Sequence, residues 1–187
     1  IVFEGDQSHM MQNPIYLLPD VESTTITSSL ISSNLPSLVP QASAFTVSND
    51  SVPDTTDLEE ALVTTESSYV KTDLNNAESS AKEDGDLSGP FDIAVYITDT
   101  ISDNEAKIAA FSTDYIFEDE VDASVAGANV AMATNALNDM IDQTINATIP
   151  AKSYDTSSLT VNSGTAMLIS FLLILVLPIV TLIRSEE

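Results

Sequence analysis

The run Glu4-Gly5-Asp6-Gln7-Ser8-His9 sets two carboxylates and a hydroxyl beside the only histidine of the chain. These are the residue types of a serine nucleophile and its base. Adjacent residues of an extended strand point to opposite faces, however, and no G-x-S-x-G turn accompanies them. His9 therefore reads first as an exposed loop residue. A single histidine rules out a multi-histidine metal site, and the absence of cysteine removes disulfides, thiolate ligands and a cysteine nucleophile. Carboxylates are plentiful in "DLNNAESSAKEDGD", with Glu78, Glu83, Asp84 and Asp86, but their spacing does not follow an EF-hand. Neither a P-loop nor a G-x-G-x-x-G occurs. No metal and no cofactor are expected.

Three other polar residues sit where α/β domains bind ligands, at a strand's end and a helix's start. Ser112 and Asp114 follow the apolar run Ile108–Phe111, and Asn129 opens the helical pattern after it. They are the candidate binding residues, and the competing reading is that they cap the helix and satisfy loop backbone. Asn135, in mid-helix, is expected to be a buried hydrogen-bonding residue tying helix to loop. Lys152 and Ser153 are expected to orient the domain, and Pro178 to mark a contact with a partner's helices.

The elements that must position these residues follow from pattern. "FDIAVYITDT" alternates β-branched and aromatic residues after the punctuating "EDGDLSGP" and is expected to be a central strand. "AKIAAF" supplies a second strand. "AGANVAMATNALNDMIDQ" places Val130, Ala133, Leu137, Met140 and Ile141 at helical spacing, predicting an amphipathic helix over 126–143 that covers a sheet with that face. "INATIPAKS" reads as a further extended run. Upstream, "IVF", "PIYLLPD", "ASAFTVS" and "EALVTTESSYVKT" read as strands. The Ser/Thr/Asp/Pro-rich stretches 22–40, 49–60 and 73–90 read as surface loops, the last as a flap. Strand, loop, helix and strand is the order of an α/β layered domain.

Charge narrows the partners. Five Lys and Arg against twenty-nine Asp and Glu give −24, which repels phosphates, so nucleic-acid binding is excluded. Thr165 to Ile183 carries no charge and is long enough for the roughly 20 residues that a bilayer-spanning helix needs. Arg184 follows it at once, which places residues 184–187 on the cytoplasmic side and the acidic domain outside. The start "IVFEGDQSHM" reads as though a sheet were entered midway, so a fragment with its N-terminal part missing is expected.

From Ile108 onward the chain resembles the auxiliary component of ABC transporters of the gliding-motility type. The resemblance rests on order: "FSTDYIF"; Ala128-Asn129 opening a helix; Asn135 within it; "IPAKS" at Ile149 to Ser153; Leu159 to Val161; and a last apolar stretch with a proline. "IVFEGDQSHM" and "NPIYLLPDVESTTITSSL" fit its middle segments. A tryptophan near Asp139 to Ile141, a histidine near Thr24 and a glycine at Ala128 would complete the pattern and are absent.

The resemblance implies a three-layer α/β domain, glutamine-amidotransferase-like or flavodoxin-like, without the catalytic cysteine. It further implies residues 1–160 as an extracytoplasmic domain, 161–164 as connector, 165–183 as a single C-terminal transmembrane helix and 184–187 as tail. The expected function is a non-enzymatic accessory subunit, anchored in the cell membrane beside an ABC permease and ATPase. It would capture a small-molecule or polymer substrate or assemble the complex. Two alternatives stay open. One is a membrane-anchored hydrolase using Ser or Asp with His9. The other is a single-pass surface adhesion protein, which the sequons Asn49-Asp50-Ser51 and Asn146-Ala147-Thr148 permit.

Overall fold

The alternation of β-branched and aromatic residues at 92–101 does produce a long strand, and the remaining elements assemble around it. The computed structural model describes residues 1–46, 52–71, 80–102 and 104–141, with Phe171, Ile174 and Arg184. In chain order the strands are β1 (Val2–Phe3), β2 (Met10–Met11), β3 (Asn13–Leu17), β4 (Asp20–Val21), β5 (Val39–Pro40), β6 (Thr56–Val63), β7 (Tyr69–Val70), β8 (Leu87–Ser88), β9 (Asp92–Ile101) and β10 (Asn104–Phe111). The helices are α1 (Ser28–Ser33), α2 (Asp119–Ser124) and α3 (Ala128–Met140). Two 3-10 turns cover Gln7–His9 and Tyr115–Phe117.

The main sheet has the order β10-β9-β6-β4, and two smaller sheets have the orders β2-β3-β5 and β1-β7-β8. Every pairing among the described residues is antiparallel. This corrects the expected three-layer α/β domain. A parallel neighbour needs a crossover of a dozen or more residues, whereas only positions 102 and 103 separate β9 from β10. Ser102 takes a positive φ of 50° to make that turn. The fold is mostly antiparallel β with few helices.

The stretch 22–40, expected as surface loop, also enters the core. Ile26, Leu30 and Val39 are fully buried and Leu38 nearly so. Its hydroxyls do not prevent this, because Thr27 Oγ1 donates to the Glu22 carbonyl and Thr24 N donates to Thr27 Oγ1. Helix α3 forms close to its predicted bounds but turns a different face inward. Ala128, Asn129, Met132 and Ala136 are buried, while Val130, Leu137 and Ile141 are 45%, 61% and 57% exposed.

A small polar cluster fixes the C-terminal end of α3 on the sheet. The phenol of Tyr96, 1% exposed on β9, donates to Asp139 Oδ2 at 2.6 Å. Lys107 Nζ of β10 lies 2.9 Å from the same oxygen and 3.2 Å from Glu105.

The chain divides into two units, Ile1–Ala151 and Lys152–Glu187. Of the second, only Phe171, Ile174 and Arg184 are described, all in helical backbone. The expected single-pass membrane protein, with its cell-membrane location, is corrected here. Among the described residues no helix is long and apolar enough to cross a membrane. The longest of them, α3, has thirteen residues, a length of about 20 Å against the roughly 30 Å of a bilayer core. The stretch 165–183 assigned to the span lies outside the described residues apart from Phe171 and Ile174.

The Tyr96–Asp139–Lys107 cluster sets a pH window. The Tyr96 hydrogen bond, then Lys107, hold the Asp139 carboxyl below its ordinary 3.8. Its contribution to stability is complete above that value and is lost as pH falls through the lower folded value. Burial, then Asp139, pushes the Tyr96 phenol well above its ordinary 10.0, and the Asp139 hydrogen bond raises Lys107 above 10.5. Those contributions are complete below 10.0 and 10.5 and fade as pH rises beyond them. Melting temperature against pH should therefore fall on both sides, with the acid limb blunted in Asp139→Asn. Tyr96→Phe should cost about 1.5 kcal/mol in urea unfolding at neutral pH.

Candidate functional site

The structure distributes the candidate residues around the turn that links β10 to the helices. Ser112 closes β10, its N–H donating to the Ile93 carbonyl at 3.0 Å. Its hydroxyl is buried and has no hydrogen-bond partner. Asp114 is exposed at the head of the 115–117 turn, where its carbonyl accepts from Phe117 N at 3.1 Å and its side chain makes no cap bond. Asn129 points inward. Its Oδ1 accepts from Ser37 Oγ at 2.7 Å, and its Nδ2 donates to the carbonyls of Leu38 at 3.0 Å and Ile116 at 2.9 Å. Both amide protons and the oxygen of this fully buried side chain are thus engaged. Asn135 Nδ2 donates to Ile26 O at 2.9 Å and Ser29 Oγ at 2.7 Å, joining α3 to the α1 segment. Lys152, Ser153 and Pro178 lie outside the described residues.

The concave surface lies elsewhere, on both sides of the chain as it leaves β4. One groove, about 540 Å³, is lined by Val21, Leu30, Ile31, Asn34, Leu35 and Pro36. A second, about 310 Å³, is lined by Glu22, Ser23, Thr24, Leu58, Glu59, Glu60 and Val63. Val21 belongs to the first and Glu22 to the second, so the two grooves flank the same stretch of chain. The first offers aliphatic carbon and the second three carboxylates. Glu59 is committed, since Thr25 Oγ1 and N donate to its two oxygens at 2.7 Å and 2.5 Å. Burial, with the charge of Glu60 nearby, raises the Asp92 carboxyl above its usual range. Such a groove accepts hydrogen bonds and positive charge and repels anions. Sequence reasoning passed over it because 22–40 and 49–60 read as loops, although the adjacent Glu59-Glu60 was a visible signal.

The His9 cluster is real as a geometry. Ser8 Oγ lies 3.0 Å from His9 Nδ1 and donates to Asp6 Oδ1 at 2.8 Å. His9 Nε2 lies 3.4 Å from Asp20 Oδ1, and Nδ1 lies 3.4 Å from Asp6 Oδ2. The Ser8 N–H, then its hydroxyl, hold the Asp6 carboxyl below its ordinary range. The cluster is exposed and lines neither groove. With its proton on Asp6, the serine is not poised to give that proton to the histidine.

Of the carboxylates in the expected flap, Glu83 and Asp86 clamp the buried Lys71, each 3.1 Å from its Nζ. Burial opposes the ammonium charge, but these two partners outweigh it and raise Lys71 above its ordinary value. Glu78 lies outside the described residues. Among the described residues no group of His, Cys, Asp and Glu side chains could hold a metal ion. Comparison of the chain with protein-family models, with curated proteins and with solved structures yields no match.

Two substitutions separate these roles. Asn129→Ala would strand Ser37 Oγ and two carbonyls in the core, lowering the free energy of unfolding by about 2–4 kcal/mol in urea melts. Ser112→Ala removes a buried hydroxyl that has no partner and should leave stability unchanged or raise it by up to about 1 kcal/mol.

Proposed function

We propose that this chain is a non-catalytic accessory subunit that captures or assembles a partner instead of converting a substrate. One observation carries the reading: the core-facing polar side chains of α3 join other elements, while the concave surface among the described residues is an apolar groove and an acidic one flanking the chain that leaves β4. Asn129, Asn135 and Asp139 hold the 37–38 loop, the α1 segment and the sheet. The first groove suits an aliphatic side chain and the second a basic one. The resemblance to transporter auxiliary components names an ABC permease and ATPase as the assembly to which such a subunit would belong.

The test is affinity capture of the tagged full chain from its own host in mild detergent, followed by mass spectrometry. Recovery of an ABC permease and ATPase is expected, and recovery of the chain alone would sink the proposal. Ile31→Asp combined with Glu60→Lys, both at the groove surface, should reduce that recovery at least tenfold without changing the circular dichroism spectrum.

A second reading, a serine hydrolase, rests on the 3.0 Å approach of Ser8 Oγ to His9 Nδ1 and would need the hydroxyl to turn its proton from Asp6 to the histidine. Fluorophosphonate labelling decides it. The accessory-subunit reading expects none, whereas labelling abolished by both Ser8→Ala and His9→Ala would establish the hydrolase.

A further inference from the structure

Strand β10 is an outer strand of the main sheet, and its pairing with β9 runs through eight consecutive residues without a bulge. In an antiparallel pair the hydrogen-bonding direction alternates along the strand. Asn104 faces Ile101 across the tight turn, and Ser112 N donates to Ile93 O. The even-numbered residues therefore bond to β9, and the N–H and C=O groups of Glu105, Lys107 and Ala109 point away from the sheet. Among the described residues these groups make no backbone hydrogen bond on that side. Asn104, Glu105, Ala106 and Ile108 are exposed, so the N-terminal half of this edge is open.

Sheet edges are usually blunted by proline, a bulge or an inward lysine. Strand β10 has neither of the first two, and its Lys107 is turned toward α3, 2.9 Å from Asp139 and 3.2 Å from the exposed Glu105 two residues away. That spacing makes the edge self-complementary. If a second β10 is laid antiparallel about a two-fold axis at Ala106, Ala106 faces Ala106 and Glu105 of each copy faces Lys107 of the other, exchanging its pairing within the chain for one across the axis while Asp139 keeps its hold on Lys107. Both charged residues are outward-bonding positions, so the register that pairs the charges also satisfies the free backbone groups. A two-fold contact requires this kind of self-complementarity, because one patch must serve both partners.

We propose that a second copy of this chain adds to the sheet through β10, in antiparallel register centred on Ala106, giving a continuous eight-stranded sheet across the dimer. The small side chains at 106, 109 and 110 let the backbones approach. The net charge of −24 does not forbid the contact, since charges more than about 8 Å apart are largely screened at physiological salt.

The chain has no cysteine, so one introduced thiol reports the register. Residues directly opposite in a non-hydrogen-bonded antiparallel pair have Cα atoms about 4.5 Å apart, within the range a disulfide spans. The full chain carrying Ala106→Cys, kept in mild detergent at physiological salt, should cross-link to a dimer under mild oxidation. Ile108→Cys should not, because the two thiols would be offset by four residues, roughly 13 Å. Adding Glu105→Lys, at an exposed position, sets lysine against lysine and should reduce the Ala106→Cys cross-link at least tenfold while the circular dichroism spectrum is unchanged. Equal cross-linking at 106 and 108, no cross-linking at 106, or indifference to Glu105→Lys would each overturn the proposal. So would a monomeric chain whose amides at 105 and 107 are protected from hydrogen exchange, since another segment would then occupy the edge.

Discussion

The side-chain amide of Asn129 is the joint at which two separate segments converge on α3. A buried primary amide is costly unless its oxygen and both protons find partners. Here the partners come from Ser37, Leu38 and Ile116, two on the chain leaving α1 and one in the turn after β10. Satisfying all three leaves α3 one rotational setting. The helix enters through Gly127, whose φ of 83° is readily adopted only without a side chain. With Asn129 facing inward, helical periodicity brings Met132, Asn135, Ala136 and Asp139 to the same side. Asn135 then meets Ile26 O and Ser29, and Asp139 meets Tyr96 and Lys107. Two of the four buried positions, Ala128 and Ala136, are alanine, small enough for a close approach of the helix to its neighbours.

The short strands near the start of the chain rely on buried charge that is likewise satisfied. Glu4, 2% exposed, accepts from the N–H groups of Gly5 and Asp6 and from Thr65 Oγ1 at 2.7 Å, tying the first strand to the turn between β6 and β7. The approach is so close that a Cβ on Gly5 would stand 2.5 Å from the Ser67 carbonyl oxygen. Lys71 at the end of β7 is clamped by Glu83 and Asp86. Breaking such a pair by removing one partner is strongly destabilising, because the charge left behind is buried. The short strands β1, β7 and β8 are held in place by these contacts as well as by their few ladder bonds.

How much of this was legible in the sequence follows from the range of each interaction. β9 was visible because its alternation is local and both of its neighbours merely repeat it. The presence of α3 was visible for the same reason, but its orientation was not. Its strongest apolar periodicity runs along Val130, Leu137 and Ile141, and polarity alone would turn Asn129 and Asp139 outward, Asn135 alone being expected to tie the helix to a loop. Those three side chains face inward because their partners lie 92, 109 and 43 residues away in the chain, distances at which spacing carries no information. The stretch 22–40 misled in the opposite direction. Its serines and threonines look solvated, yet Thr27 is buried with its hydroxyl satisfied locally. The antiparallel sheet could have been inferred from the turn at 102–103, which is too short for any crossover. Order along the chain suggested an α/β domain instead. Of the candidate binding residues, Ser112 and Asp114 were placed correctly in the loop after β10, whereas the groove carboxylates were hidden by reading their strand as loop.

The electrostatic consequence reaches beyond the fold. Of the cations among the described residues, Lys71 and Lys107 are drawn into carboxylate clusters and are largely buried, so little positive charge remains on the outer surface of a strongly acidic chain. A partner approaching that surface meets a repulsive field if it is anionic and must supply its own cations if it is to pair charge for charge. Association is favoured where the surface is apolar or where backbone groups do the bonding. The groove at Leu30 and Ile31 and the open edge of β10 are both surfaces of that kind. On the face of the sheet turned away from α3, Leu58, Ile97 and Ile108 lie in register across β6, β9 and β10, which extends apolar surface up to that edge. An acidic exterior interrupted by a few apolar or backbone-bonding seams discriminates among partners by exclusion, and the excess of acidic over basic residues is what produces it.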